Sequence, residues 1–300
     1  MKKYIKTLRS ELFKVCFNVG FIDKDGYSDF NELTFDQIKW MDLDGYSHGW
    51  FADPFILEVR DKKIFVLVEE YEYNKKKGRL CIITVSKDNY KLLNVKSILE
   101  LDTHLSYPSV YKIENKIYIC PENNEGGSVK AYELVDKKLI NPTVLIDEPL
   151  VDTQFVEVNG SYYAFGVKNI KGLMSETKEL RVFKSDKFLG SYSYLYSIKN
   201  DLCEERGAGN IFKVGNTIYR PAQCCEGGYG KAIIIYEMLF DNGKIEEREV
   251  FRFSGKVCKK WGVGMHQFHT DEGMTVVDGQ EFFHFIARIP KRVQMFIQNF

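Results

Sequence analysis

The chain repeats one pattern five times, and this repeat constrains its fold more than any other feature. Each unit has a short apolar strand, a polar turn and a second apolar strand. The second strands begin near Ile64, Ile117, Tyr162, Ile218 and Met274, so they are spaced by 53, 45, 56 and 56 residues. Repeats of this length are typical of β-propeller blades, which bury both faces only by stacking around an axis. The sequence therefore predicts an all-β, five-bladed β-propeller.

The repeats also predict the domain organisation. We expect a single domain over residues 1–300, with an N-terminal closing segment at 1–45, blades at about 50–104, 105–149, 150–203, 204–262 and 263–290, and a tail at 291–300. The predicted third strands start at Arg79, Val129, Glu179, Ala232 and Glu281. The last repeat ends one strand short, and an unpaired sheet edge is a liability. An N-terminal strand, FNVGFI or IKWMDL, is therefore expected to close the ring, after a short helix within residues 1–15.

Composition and charge exclude several classes of protein. The sequence has 42 acidic and 42 basic residues, so its net charge gives no reason to expect a nucleic-acid partner. It has no apolar run of about 18 residues, and we expect no integral membrane segment. The basic N-terminus lacks the apolar stretch of a secretion signal, and the tail KRVQMFIQNF alternates basic and apolar residues. We expect a cytoplasmic protein, or one peripheral to the inner face of the membrane.

The cysteine and glycine patterns predict neither a cofactor nor a metal. Seven cysteines without regular spacing or a CxxC pair indicate reduced thiols and no structural zinc. The stretches 207–209 and 262–264 lack the third glycine of a dinucleotide loop, and no Walker loop occurs. His266 and His269 lie on a predicted strand at positions that face opposite sides, so they are not expected to bind one metal ion.

Five polar residues occupy equivalent places in the five blades. The innermost strand of each propeller blade starts at one end of the central channel, so the residues at those starts should meet on one rim. They are Asp53, Tyr107, Asp152, Arg206 and His266. Any one of them alone is as consistent with a strand cap as with a functional role. Together they predict an acid–base and anion-binding site.

The second strands end in a further polar set: Glu69 and Glu70, Glu122, Gln223 and Asp278. A carboxylate that ends an apolar strand often faces solvent. Side chains alternate along a strand, so only one of Glu69 and Glu70 can point to the channel. Arg220 and Gln223 are suited to sugar hydroxyls or a phosphate, and the alternative for Arg220 is an ion pair between blades.

Two segments resemble motifs of the five-bladed furanosidase-type propellers, which include glycoside hydrolase families 32, 43 and 130. WFADPF at 50–55 is similar to their first-blade motif, whose aspartate, here Asp53, is the general base or nucleophile. DTQF at 152–155 is similar to the third-blade motif, whose aspartate, here Asp152, holds and tunes the catalytic acid. Family 43 carries that acid in a fourth-blade Glu-Gly-Pro motif. The matching stretch here, EERGAG at 204–209, places Glu205 near the acid position in an altered motif, which argues against ordinary glycoside hydrolysis.

Six segments resemble, as a set, the N-terminal propeller domain of glucosamine inositolphosphorylceramide transferases. They are WFADPF, KGRL, YPSV, RGAGNIF, YRPAQCC and MHQFHT, and the likeness covers most of residues 17–288. In the plant-type enzymes of this group the recognised glycosyltransferase domain is a separate, C-terminal one. The resemblance therefore implies a carbohydrate-active protein of surface-glycan biosynthesis rather than one specific activity.

These resemblances favour an enzyme that transfers a glycosyl unit from a sugar or activated-sugar substrate to a glycan acceptor. Its catalytic residues would be Asp53, Asp152 and either Glu205 or Glu70. Its substrate-binding residues would be Tyr107, Arg206, Arg220, Gln223, His266 and His48. Two alternatives remain open: a non-catalytic glycan-binding module that partners a glycosyltransferase, and a furanosidase-like glycoside hydrolase.

Overall fold

The structure, a computed structural model, describes residues 15–169, 178–198, 206–226, 228–241 and 244–282. These residues form five four-stranded antiparallel sheets. The predicted all-β, five-bladed propeller is confirmed. The six cysteines within the described ranges are free thiols, in agreement with the expected reduced state.

In chain order the strands are β1 (Val15–Ile22), β2 (Lys39–Trp40), β3 (Gly49–Arg60), β4 (Lys63–Glu72), β5 (Lys77–Ser86), β6 (Leu92–Leu99), β7 (Ser106–Ile113), β8 (Lys116–Glu122), β9 (Val129–Val135), β10 (Lys138–Ile146), β11 (Val151–Val158), β12 (Ser161–Asn169), β13 (Lys178–Ser185), β14 (Ser193–Ile198), β15 (Phe212–Val214), β16 (Thr217–Cys224), β17 (Ala232–Asp241), β18 (Lys244–Ser254), β19 (Phe268–Asp271) and β20 (Met274–Phe282). Short 3₁₀ helices lie at Phe30–Glu32, Phe35–Gln37 and Asn124–Gly126. Blades 1 to 4 use consecutive strands from β3 to β18, and blade 5 combines β19 and β20 with β1 and β2.

The N-terminal segment closes the ring, as predicted, but it supplies two strands. β1 pairs along its whole length with β20, from Val15 opposite Phe282 to Ile22 opposite Thr275, and β2 adds to its other edge. The predicted third strand at Glu281 is therefore wrong, because Glu281 ends β20 and β1 takes the third position of the sheet. The rest of that predicted strand and nearly all of the predicted N-terminal helix lie outside the described residues.

Tight hairpins join the first and second strands of the blades at one end of the propeller, here called the foot. In four blades both central turn residues have a positive φ: Asp61 and Lys62, Glu114 and Asn115, Asn159 and Gly160, Glu272 and Gly273. Two-residue turns of this kind match the twist of the strands that they join. At Asn159–Gly160, for example, the flanking residues Val158 and Ser161 pair with each other.

Apolar clusters fill the spaces between neighbouring blades. Between blades 5 and 1, for example, Phe21 and Val276 pack with Val66, Val68 and Ile83. Similar clusters lie between the other neighbouring blades. Both faces of a blade are thus buried, so hydrophobic burial holds the ring together and orients the inner strands toward the axis.

Candidate active site in the propeller funnel

The inner strands of blades 1, 2 and 3 share one backbone irregularity at the end opposite the foot, here called the funnel. In β3, β7 and β11 the pairing with the second strand shifts register, and one residue at each shift has a positive φ: Asp53 (50°), Tyr107 (42°) and Asp152 (46°). Such bulges re-aim side chains next to active sites. A non-glycine residue held in this region costs on the order of 1–3 kcal/mol. Three of the predicted rim residues are therefore held by strained backbone.

Asp53 belongs to a buried network that joins blades 1, 2 and 5. Its Oδ2 accepts a hydrogen bond from the Tyr107 amide at 2.9 Å, and its Oδ1 lies 3.7 Å from His266 Nδ1. Asp278 Oδ2 lies 2.6 Å from the same His266 nitrogen and accepts the Asp53 amide at 3.2 Å. The other Asp278 oxygen accepts the amides of His266 and Gln267. Asp278 thus fixes the start of blade 5 and positions His266 beside Asp53.

Burial and neighbouring charges shift the titration of this network. Burial raises the pKa of Asp53 to about 6; His266 opposes the rise, and Asp278 and Asp152 add to it. Burial lowers the pKa of His266, but Asp278 and Asp53 outweigh that effect, so its pKa is raised overall. The attraction between the Asp53 carboxylate and the His266 imidazolium thus favours the charged form of each group.

A second buried network links blades 2, 3 and 4. Asp152 Oδ2 accepts hydrogen bonds from Arg206 Nε at 2.6 Å and from Gln223 Nε2 at 2.9 Å. Arg206 Nη2 lies 3.6 Å from Glu122 Oε2, and its guanidinium lies over the ring of Tyr229 at 5.3 Å. Burial raises the pKa of Glu122 well above its ordinary value, and Asp152 adds to the rise. Arg206 therefore faces two acidic groups, of which Glu122 favours its protonated form.

Glu69, in β4, is a second acidic residue of the first blade at the funnel. His104 Nδ1 accepts the Gly78 amide at 2.9 Å, so the proton of the neutral ring is on Nε2, which lies 3.4 Å from Glu69 Oε1. Burial raises the pKa of Glu69 well above its ordinary value, and Asp53 and Glu122 add to the rise. Burial and these neighbours therefore favour the protonated form of Glu69.

Glu70 lies instead in an ion-pair network inside blade 1. Its Oε2 accepts hydrogen bonds from Arg79 Nε and Cys81 Sγ, both at 2.9 Å, and Tyr46 bonds the other oxygen. Glu70 was predicted as a candidate acid in the funnel, but its side chain lies on the other face of β4. Glu69 and Glu70 project to opposite faces of this strand, and the face of Glu69 is the one that opens to the funnel. His48, just before β3, is exposed.

Arg220 occupies a structural position between strands. It is 0% exposed, its Nη2 donates to Glu247 Oε2 at 2.9 Å, and its guanidinium lies over Tyr236 at 5.5 Å. Arg220 in β16 and Glu247 in β18 belong to the same blade, so the ion pair lies within blade 4 and not between blades as the alternative interpretation expected. Glu205, the other predicted acid, lies outside the described residues. The structure thus brings Asp53, Tyr107, Asp152, Arg206, Gln223 and His266 together.

Aromatic residues that the sequence analysis did not select surround this pocket. Trp50 stacks on Tyr71 with ring centroids 4.8 Å apart, and Tyr229 meets His266 edge-on at 5.2 Å. Phe17 stacks on the His266 ring at 4.7 Å. Aromatic faces with a few convergent polar groups are typical of small-ligand sites. The sequence feature that could have predicted these aromatic residues as part of the site is their position beside the motifs, as in GWFADPF.

Several buried acceptors in the funnel have no hydrogen-bond partner. They are Glu69 Oε1, Glu122 Oε2 and Gln223 Oε1. The acidic groups of the funnel are the buried Asp53, Glu69, Asp152 and Asp278 and the partly buried Glu122, and the cations that face them in the described part of the chain are Arg206 and His266. Buried polar atoms are normally satisfied, so this surplus of acceptors points to a ligand or to bound protons.

Asp53, His266 and Asp278 also bring three donor atoms within 4.8 Å of one another, a grouping that could hold a cation. His266 Nδ1 and Asp278 Oδ2 lie 2.6 Å apart as an ion pair, although the His266 nitrogen has no partner with hydrogen-bond geometry. Two ligands of one small metal ion lie farther apart, at roughly 3 Å or more. The spacing as it stands is that of an ion pair.

The channel is filled below this pocket. The Tyr107 hydroxyl donates to Gly209 O at 2.8 Å and accepts the Gly209 amide at 3.0 Å. Gln154 Nε2 donates to Gly209 O at 2.6 Å and to Pro221 O at 2.9 Å. Tyr107 and Gln154 are almost fully buried. These side chains, here called the plug, separate the funnel from the foot.

Solved structures with the same fold are carbohydrate-active enzymes. One is a thermostable family-43 glycoside hydrolase, with a TM-score of 0.52 and 13% identity over 70% of this chain and 80% of that one. Another is an α-L-arabinofuranosidase from Podospora anserina in complex with cellotriose, with a TM-score of 0.56 and 12% identity over 75% of this chain and 78% of that one. The likeness to these structures shows the fold, a five-bladed propeller.

Sequence comparison gives the family. The model of the glucosamine inositolphosphorylceramide transferase 1 N-terminal domain matches residues 38–279, and the chain belongs to this family. Relatives with that transferase name are 31% identical over 241 residues in Arabidopsis thaliana and 29% identical over 201 residues in Oryza sativa subsp. japonica. The matches cover 76% and 65% of this chain but only 31% and 27% of those proteins. Thus the chain spans less than a third of the curated relatives that it matches. Among the described residues no helix is long and apolar enough to cross a bilayer.

Proposed function

We propose that this protein transfers a glycosyl unit during surface-glycan assembly and that the funnel is its active site. The observation that carries the proposal is that two buried carboxyl groups, those of Asp53 and Glu69, interact with each other in the funnel. The pKa of Asp53 is about 6, whereas that of Glu69 is raised well above its ordinary value. Pairs of acidic groups whose environments separate their pKa values are the usual acid and base of glycosyl chemistry.

In this scheme Asp53 is ionised at neutral pH and Glu69 is protonated. Glu69 gives its proton to the leaving oxygen at the anomeric carbon. Asp53 either takes the proton of the attacking acceptor hydroxyl or attacks the anomeric carbon itself, depending on stereochemistry. Asp152, held by Arg206 and Gln223, orients the sugar. Glu205 remains a candidate acid on the strength of the family-43 resemblance.

The charge of the funnel supports a sugar that carries a free amino group. An ammonium group has three N–H donors and a positive charge. Gln223 Oε1 is a buried acceptor without a hydrogen-bond partner, and the three carboxyl groups of Asp53, Asp152 and Asp278 outnumber the two cations that face them, Arg206 and His266. The names of the relatives include glucosamine, which is the same chemistry. We therefore propose an amino sugar as the group transferred.

Calorimetric titration with glucosamine, N-acetylglucosamine and glucose tests the amino-sugar assignment. Glucosamine should bind more tightly than the other two, and Asp53→Asn should reduce that preference because it removes one negative charge from the funnel. Equal binding of glucosamine and N-acetylglucosamine would contradict the assignment.

Transfer itself is tested by incubating the protein with nucleotide-activated glucosamine and a glycan acceptor, followed by mass spectrometry of the products. A glycosylated acceptor supports transfer. Release of free sugar without acceptor glycosylation would instead support a furanosidase-like hydrolase, to which the family-43 fold also corresponds.

A non-catalytic glycan-binding module that serves a partner glycosyltransferase is the second candidate. This chain matches less than a third of the length of its relatives, which favours this alternative because the catalytic residues of those proteins can lie in their remaining length. Under this alternative Asp53→Asn would leave glycan assembly unchanged. In either case we propose a cytoplasmic location, peripheral to the inner membrane face.

A further inference from the structure

The foot of the propeller has its own cavity, here called the lower groove. It is lined by the ends of β7, β11, β15 and β19 together with Tyr27, and its volume is about 430 Å³. Small-molecule sites have volumes of about 300–1,000 Å³. Four blades contribute to the lower groove, so it lies where the inner strands end around the axis.

His269 presents a hydrogen-bond donor to the lower groove. The side chain is 5% exposed, and its Nδ1 accepts the Ile56 amide at 3.1 Å. The proton of the neutral ring must therefore be on Nε2, for which the described residues provide no acceptor. Burial lowers the pKa of His269 to about 4, so the ring stays neutral at physiological pH. The tautomer is fixed, and the Nε2–H is available to a ligand.

Asn210 and Tyr27 add two further unsatisfied groups. Asn210 Nδ2 donates to Val110 O at 2.6 Å, which leaves the buried Oδ1 without a partner. The buried Tyr27 hydroxyl also has no hydrogen-bond partner, while its ring stacks on Phe212 at 4.2 Å and 3°. The lower groove therefore offers one donor, one acceptor and one hydroxyl that can act as either.

Charged groups around the lower groove compensate one another. Lys112 pairs with Asp271 and lies 3.7 Å from Glu272. Lys213 and Glu157, which also line the groove, have opposite charges. No surplus of positive charge is present to hold a phosphate, and no surplus of negative charge is present to hold an ammonium group. The chemistry favours a neutral ligand whose groups both donate and accept.

We infer that the lower groove binds one or two units of a neutral saccharide. Sugar hydroxyls donate and accept hydrogen bonds, which matches the His269, Asn210 and Tyr27 set. The apolar faces of a sugar ring can pack on the aromatic walls. The plug of Tyr107 and Gln154 separates this site from the funnel, so the two sites bind independently. The inference does not depend on the proposed function of the funnel.

The test uses an array of neutral hexose and N-acetylhexosamine oligosaccharides, with the affinity of the strongest ligand measured by calorimetry. Tyr27→Phe removes only the hydroxyl and should weaken binding about 2–10-fold. His269→Asn keeps an acceptor for the Ile56 amide but removes the Nε2–H, and it should weaken binding by a similar factor. Tyr229→Phe, the same change at the funnel, and Asp53→Asn should leave this affinity unchanged.

Three results would overturn the inference. The first is that no neutral oligosaccharide of the array binds at millimolar concentration. The second is that Asp53→Asn abolishes binding while Tyr27→Phe has no effect, which would place the saccharide in the funnel. The third is that phosphorylated sugars bind and neutral ones do not. Thermal melting of each variant shows whether a loss of binding comes from a loss of folding.

Discussion

Asp53 and Asp61 stand at opposite ends of the same inner strand with nearly the same backbone angle, φ of 50° and 49°. Asp61 is exposed in the hairpin turn at the foot, where a two-residue reversal requires a left-handed residue. Asp53 is buried inside β3, where pairing without a bulge would require no such angle. The positive φ of Asp61 allows the chain to reverse, whereas that of Asp53 directs a carboxyl group into the funnel.

The same contrast holds for blades 2 and 3. Tyr107 and Asp152 repeat the strained position of Asp53, while Glu114 and Asn159 take the left-handed turn positions at the foot. Strained residues persist where the surrounding structure over-determines them, and they concentrate at functional sites. The comparison indicates that the left-handed residues at the foot serve the hairpin turns, whereas those at the funnel lower stability in exchange for a charged, pre-organised pocket.

The largest effect should come from the matched pair Asp53→Asn and Asp61→Asn. Asparagine tolerates the left-handed region, so neither change strains the backbone. Asp53→Asn removes the base or nucleophile and should lower glycosyl transfer at least about 10²–10⁴-fold. Asp61→Asn should leave the rate unchanged. Equal rates for the two variants would remove the functional distinction between the ends of β3.

The next effect concerns the pH dependence of the rate. Activity should rise as Asp53 ionises near pH 6 and fall at higher pH as Glu69 loses its proton. Glu69→Gln should lower the rate about 10²-fold or more and abolish the alkaline limb, leaving the acid limb near pH 6. A parallel profile of Glu205→Gln serves as the comparison. If that variant alone loses the alkaline limb, Glu205 is the acid and the role assigned to Glu69 fails.

The fold was predictable because repeat spacing and turn residues are local signals. Equivalent positions in the blades also placed Asp53, Asp152, Arg206 and His266 on one rim before any coordinates were known. The choice between Glu69 and Glu70 was not predictable. Leu67, Val66 and Val68, which precede them in β4, are all apolar because both faces of a blade are buried, so alternation gives no contrast.

A smaller effect is expected on stability. The pKa of Asp53 is raised from 3.8 to about 6, so its contribution to folding is fully present below about pH 4 and is lost as the pH rises through 6. The loss amounts to at most about 3 kcal/mol. Asp53→Asn should therefore unfold at higher denaturant concentration than the unmodified protein at pH 7, with the advantage disappearing near pH 4. Asp61→Asn should show no such pH-dependent difference.

The smallest effect should come from the ion pair at the foot. Lys112 and Asp271 have side chains 46% and 29% exposed, whereas Arg206 and Asp152 in the funnel are 24% and 2% exposed. Exposed pairs contribute about 0–1 kcal/mol and are screened by salt. A double-mutant cycle with Lys112→Met and Asp271→Asn, followed by urea unfolding, should give a coupling energy in that range that disappears in about 1 M NaCl. A coupling energy well above about 1 kcal/mol that persists at high salt would show that the foot also contains a poorly solvated ion pair. Funnel and foot would then differ in the role of their strained backbone but not in the strength of their ion pairs.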